Sequence, residues 1–247
     1  MCGRYTLQQA EKALNRVIPI DEWIRIWVGE WIHHRFNVSP TQKMPVVTAS
    51  DGRRTPHQMR WGFVPFYARA QPKPQALINA RSETILVKTP FKRAAHKQRC
   101  LVPADGFFEW KRDGDRRQPY YFTLRDEEPF AFASLFEPAT DTLPAGYLLL
   151  TTRPNCLMEP VHDRMPVILQ PDAYDEWLAN EPLPDDRLMQ LCAPYPAEEM
   201  MRRAVSPLVN SPRNDSPEVL AAFPDVPVPL PDKITPADLS GQGELPL

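Results

Sequence analysis

YYFTLRDEEPFAFASLF, residues 120–136, holds two short apolar runs with an acidic break ending in Pro129 between them. Each run is rich in aromatic residues and has the length of a strand rather than a helix. The same pattern recurs outward in both directions: MPVVTA (44–49) and HQMRWGFVP (57–65) before it, YLLLTT (147–152) and RMPVIL (164–169) after it, separated by Pro, Asp and Gly. The N-terminal part reads differently. Thr6 followed by Gln9 has the form of a capping box, and Leu7, Ala10, Leu14 and Val17 fall at helical spacing. A second helix is expected over 21–32, with Trp23, Trp27 and Trp31 on one face, a spacing that favours core packing over a base-stacking platform. DAYDEWLA (172–179) and AEEMMRRA (197–204) read as two later helices. The expected class is α+β and β-rich, with no internal repeat.

The chain has 247 residues, 43% of them hydrophobic and 24% charged, as in ordinary globular proteins and enough for a real core. No run approaches the roughly 18 apolar residues of a membrane span, and no basic-then-apolar leader opens the chain. Cys2, Cys100, Cys156 and Cys192 are scattered without a CxxC pair, which argues against zinc or a disulfide framework. A reduced, cytoplasmic protein without metal or cofactor is expected. Residues 1–100 carry 17 Lys and Arg against 6 Asp and Glu, whereas 101–247 carry 12 against 25. This polarity means either a basic surface for an anionic partner or two halves that interleave in space. From Ser216 onward come Pro217, Pro224, Pro227, Pro229, Pro231, Pro236 and Pro246 with little apolar periodicity, so residues 216–247 are expected to be an extended, flexible tail.

Several short clusters carry chemistry. MCGRYT opens the chain, and removal of Met1 would leave Cys2 with a free α-amine beside its thiol. INARSET (78–84) places Asn79, Arg81, Ser82 and Glu83 together. In CLVPADGFFEW (100–110), Glu109 lies between Phe108 and Trp110, which would desolvate the carboxyl and raise its pKa; the alternative is the solvent side of an alternating strand. In VHDRMPVIL (161–169), His162 is either a proton-transfer group or a hydrogen-bonded turn histidine. Asn79 could equally be a turn or cap residue.

In order, MCGRY, RFNVSP, RWGFVP, INARSET, VPADGFFEW, HDRMPVIL and VSPLVNSP make the chain resemble the SRAP family, the SOS response-associated peptidase fold, from residue 1 to about 210. The resemblance implies one domain over 1–215 with a barrel-like core of mostly antiparallel strands flanked by helices. It also implies binding of single-stranded DNA and a covalent link from the N-terminal cysteine to an abasic site. An α-amine titrates near 7.7–8.0, against about 10.4 for lysine, so a useful neutral fraction exists to attack the sugar aldehyde. The thiol of the same residue can then close a thiazolidine ring. By the same resemblance Glu109 and His162 move protons and Asn79 orients the amine or the sugar. Arg4 and Arg81 hold phosphates, Trp61 and Pro40 meet bases, and Asn37, Arg60, Ser82 and Glu83 belong to the DNA-binding set. Two other classes fit some of these residues: a cysteine peptidase using Cys2, His162 and Asn79, and a non-reacting reader of modified bases. The terminal QGELPL, through Gln242, Leu245 and Leu247, resembles peptides that dock on a bacterial sliding clamp.

Overall fold

The computed structural model describes residues 2–18, 33–114 and 116–224. The helix expected over 21–32, with its three tryptophans, and the terminal Gln242, Leu245 and Leu247 lie outside the described residues. The strands are, in order, β1 (Tyr5–Leu7), β2 (Arg35–Val38), β3 (Lys43–Ser50), β4 (Arg53–Trp61), β5 (Asn79–Arg81), β6 (Arg99–Ala104), β7 (Gly106–Asp113), β8 (Arg116–Leu124), β9 (Phe130–Glu137), β10 (Gly146–Thr152), β11 (Met165–Pro166), β12 (Ile168–Leu169) and β13 (Met200–Ala204). The helices are α1 (Ala10–Val17), α2 (Thr89–Lys97), α3 (Tyr174–Leu178) and α4 (Asp185–Leu191).

Two sheets share the core. One runs β13-β8-β7-β1-β2; in the other, β10-β4-β3-β6-β9 closes into a ring because β9 also pairs with β10. All pairings are antiparallel except those of β10 with β4 and β5. This is the expected β-rich, mostly antiparallel α+β architecture. The opening stretch supplies β8 and β9, one strand to each sheet, and its aromatics Phe122, Phe130 and Phe132 are buried. Phe107 stacks on Phe122 with centroids 5.0 Å apart, and Phe132 meets both Phe130 and Tyr5 edge-on. Strands from the first hundred residues pair with later ones throughout: β1 with β7, β3 with β6, β4 with β10. The two oppositely charged halves therefore interleave.

Three local readings are corrected. Thr6 is no helix cap: it lies in β1, and its hydroxyl donates to the buried Asp105 carboxylate at 2.5 Å. Asp105 also accepts the Gln9 amide at 2.6 Å, so the carboxylate caps the chain as it enters α1. AEEMMRRA is a short 3-10 turn followed by β13, because pairing of Met200–Ala204 with β8 satisfies its backbone and outweighs helix propensity. Arg202 and Arg203 lie over the Tyr120 and Tyr121 rings of β8. The boundary drawn at residue 215 falls inside packed structure. Val219 is fully buried, Val205 bridges to Ala222, and the Phe223 amide donates to the Ala204 carbonyl.

The segment over 209–215 is clamped by two side chains of β2. Asn37 Nδ2 donates to the carbonyls of Val209, Ser211 and Asn214 at 2.7–3.2 Å. Arg35 pairs with Asp215 at 2.5 Å, and Asp215 also accepts the amides of Phe36 and Asn37. Truncating Asn37 would strand several carbonyls whose partners are internal. Asn37→Ala is therefore expected to cost about 1–3 kcal/mol and to open 209–215 to protease. Urea denaturation and limited proteolysis measure the two effects.

Candidate active site

The short strand β1 is gripped on both edges, by β2 and β7, and this fixes the residues just before it. The Phe108 amide donates to the Arg4 carbonyl at 3.0 Å, and the Asp105 amide donates to the Thr6 carbonyl at 3.1 Å. Gly106, at the start of β7, is required by close approach: a Cβ there would stand 2.2 Å from the Tyr121 hydroxyl. Cys2 is thereby held in the core with no exposed surface. Its carbonyl accepts from Asn79 Nδ2 at 2.7 Å, and its thiol points to the Arg4 carbonyl at 3.7 Å. The Asn79 Oδ1 is buried and has no partner among the described residues.

Glu109 projects from β7 and is 2% exposed, so the solvent-side reading of this residue does not hold. Burial pushes its carboxyl up to about 7. His162 Nε2 lies 4.0 Å from Glu109 Oε2. On the other side of that ring, the Arg164 amide donates to Nδ1 at 3.0 Å. Burial lowers the His162 pKa and favours the neutral form, while the exposed Asp163, 2.9 Å from Nδ1, opposes it. The Cys2 thiol is pushed far up, by burial first and then by the nearby negative charge of Glu109. The site thus combines a protonated thiol, a carboxyl that titrates near neutrality and a neutral imidazole.

Around this centre, Gly3, Arg4, Glu109, Trp110, Arg112, Arg117, His162 and Asn210 line an open cleft of about 460 Å³. Cys2, Asn79, Glu109 and His162 come together from four separate parts of the chain. The proposed DNA-contacting residues divide. Arg81 and Arg60 are exposed and Pro40 is partly exposed. Arg4 spends its guanidinium on Asn37 Oδ1 and the Val209 and Asn210 carbonyls, and Asn37 is itself buried. Ser82 is 1% exposed, and Glu83 forms a two-point pair with Arg164 at 2.6 and 2.8 Å, locking the INARSET segment to the turn that carries His162. Arg164 also donates to the Thr151 carbonyl at 2.6 Å. Trp61 is corrected from base contact to core. It is fully buried, its Nε1 donates to the Ile78 carbonyl at 2.9 Å, and its ring stacks on Tyr147. The exposed aromatics nearby in sequence are Phe66 and Tyr67, about half exposed on the loop after β4. Sequence reasoning passes over them, although FVPFYA places them beyond a strand end and a Pro, where side chains leave the core.

The sequence profile of the family described as SOS response associated peptidase (SRAP) matches residues 1–212. The chain belongs to that family. It is 38% identical to the abasic site processing protein YoqW of Bacillus subtilis over 226 residues, covering 89% of this chain and 99% of that one. It is 28% identical to abasic site processing protein YedK of Escherichia coli, with 89% and 99% covered, and 32% identical to abasic site processing protein HMCES of Xenopus tropicalis, with 76% and 66% covered. A solved structure from Bacteroides thetaiotaomicron shares the SRAP chain's fold at a TM-score of 0.71 and 24% identity, covering 90% of this chain and 100% of that one. A phage-related protein from Bordetella bronchiseptica gives 0.63 at 27% identity, covering 83% and 94%. Among the described residues no helix of this SRAP chain is long and apolar enough to cross a membrane, and no cluster of His, Cys, Asp and Glu could hold a metal ion.

Proposed function

We propose that this chain processes abasic sites in single-stranded DNA by forming a covalent thiazolidine link through Cys2 once Met1 has been removed. The observation that carries the reading is the placement of Cys2 against Asn79 and Glu109, with His162 facing Glu109, in a chain similar over most of its length to proteins named for abasic site processing.

The chemistry follows from the groups present. The Cys2 amine adds to the C1′ aldehyde of the ring-opened sugar to give a carbinolamine, which loses water to an imine. The thiol then adds its sulfur to the imine carbon and its proton ends on the nitrogen, closing a five-membered ring. A protonated Glu109 donates to the departing hydroxyl, and the neutral His162 relays the proton to or from the sugar. The buried Asn79 Oδ1 is an acceptor for the amine, while Asn79 Nδ2 holds the Cys2 carbonyl. Arg81, exposed beside Asn79, supplies positive charge for a flanking phosphate.

A peptidase of the Cys–His type would need a thiolate at Cys2, and both burial and Glu109 act against one. The amine-first route needs none. Intact-mass measurement of the Met1-processed protein mixed with an abasic oligonucleotide tests the proposal: the expected product is the sum of the two masses less one water. Tight binding without that product would leave only a non-reacting reader of DNA and overturn the covalent reading.

A further inference from the structure

The β7–β8 hairpin carries a pair of charges that the fold does not explain. Arg112 and Arg117 stand directly opposite each other in the antiparallel register. Like charges at directly paired positions destabilise a hairpin. Other arginines of this chain have internal duties: Arg99 donates to the carbonyls of Trp177, Ala95, His96, Ala179 and Glu181, and Arg93 pairs with the buried Glu137. Arg112 and Arg117 are exposed, and among the described residues neither guanidinium has a hydrogen-bond or ion-pair partner. Yet both line the same cleft as Glu109 and His162. Arg112 stands three residue steps beyond Glu109, about 10 Å along β7.

We infer that Arg112 and Arg117 form a phosphate clamp that holds the DNA strand beside the nucleotide reacting at Cys2; the inference rests on the reading above. Two forked guanidinium groups side by side on a rigid hairpin suit phosphate oxygens of one backbone. A polyanion there would also turn the unfavourable Arg112–Arg117 juxtaposition into an attraction. The clamp takes over a task for which Arg4 is poorly placed, since the Arg4 guanidinium is bound to Asn37 and to the 209–210 carbonyls. It also lies in the acidic half of the sequence, where charge counting would not look for it.

The test is a salt titration of affinity for an unmodified single-stranded oligonucleotide, run on the full chain. Each phosphate contact contributes about 0.7 to the slope of log affinity against log salt for single strands. Arg112→Ala with Arg117→Ala should lower the slope by roughly 1.4, weaken binding at low salt and leave the melting temperature unchanged or raised. Arg112→Lys with Arg117→Lys, the Lys–Lys protein, should keep most of the slope, which separates charge from folding effects. An unchanged slope in the Ala–Ala protein, or an equal loss in Ala–Ala and Lys–Lys proteins, would overturn the clamp. Intact mass with the abasic oligonucleotide is read in parallel on the wild type. An adduct with an unchanged Ala–Ala slope removes the clamp and keeps the covalent reading. A reduced slope without an adduct keeps the clamp and removes the covalent reading.

Discussion

Cys2→Ala protein is expected to give no stable adduct with an abasic oligonucleotide, a complete loss rather than a slowing. The new N-terminal residue keeps its amine, so an imine still forms, and borohydride reduction traps it. Without the thiol nothing adds across the carbon–nitrogen double bond, and water returns the imine to its components. Protein that retains Met1 should form neither species, because the Cys2 nitrogen is then an amide and the methionine amine is displaced from the site by a residue. Folding is a small concern: Cys2 makes one weak thiol contact, to the Arg4 carbonyl, and its carbonyl bond to Asn79 survives the substitution. A circular dichroism melt checks this. A stable adduct of the same mass increment from Cys2→Ala protein would exclude the thiazolidine and point to another nucleophile.

The strand runs were legible because period and length alone identify them, and 120–136 does mark one strand of each sheet. What local pattern could not carry was partnership. Thr6 and Gln9 fit a capping box, but Asp105, 99 residues away, claims the Thr6 hydroxyl and the Gln9 amide. Met200–Ala204 has helical composition, yet β8 offers a free edge that satisfies its backbone. α2 escapes a reading built on strand runs, although its signals are local: Pro90 in the first turn, Phe91, Ala94 and Ala95 buried on one face, and His96 and Lys97 at the end where cations are favoured. The chemical groups were easier to read than the binding groups. Cys2, Asn79, Glu109 and His162 are distinguished by residue type and local setting, whereas a DNA surface depends on which arginines remain free after folding. Arg4 and Arg112 look alike in sequence; only the structure shows that one is bound internally and the other is not. Trp61 failed as a base contact for the same reason, since RWGFVP does not say which face of β4 the ring takes.

Glu109→Gln should slow adduct formation by roughly 10²–10⁴-fold while leaving affinity for an unmodified strand close to wild type. The amide can accept and donate a hydrogen bond but cannot give up a proton at the carbinolamine. The pH profile gives a second signature. The amine must be neutral, so the wild-type rate climbs toward pH of about 8, and Glu109 must be protonated, so the rate falls as pH rises through about 7. A maximum near neutrality results, and Glu109→Gln should lose the alkaline limb. The stability that Glu109 contributes also falls as pH rises. The carboxyl binds its proton more tightly in the folded protein, at about 7 against 4.5 unfolded, so its contribution is intact below 4.5 and is lost as pH rises through about 7. At about 1.4 kcal/mol per unit, the loss approaches roughly 3 kcal/mol. Glutamine mimics the protonated acid at every pH, so the variant should be more stable than wild type by about that amount at pH 8 and nearly equal to it at pH 4.5. Paired urea titrations at the two pH values measure this difference. Equal stabilities at both would mean that Glu109 is solvated rather than buried, and the acid role assigned to it would fail with that result.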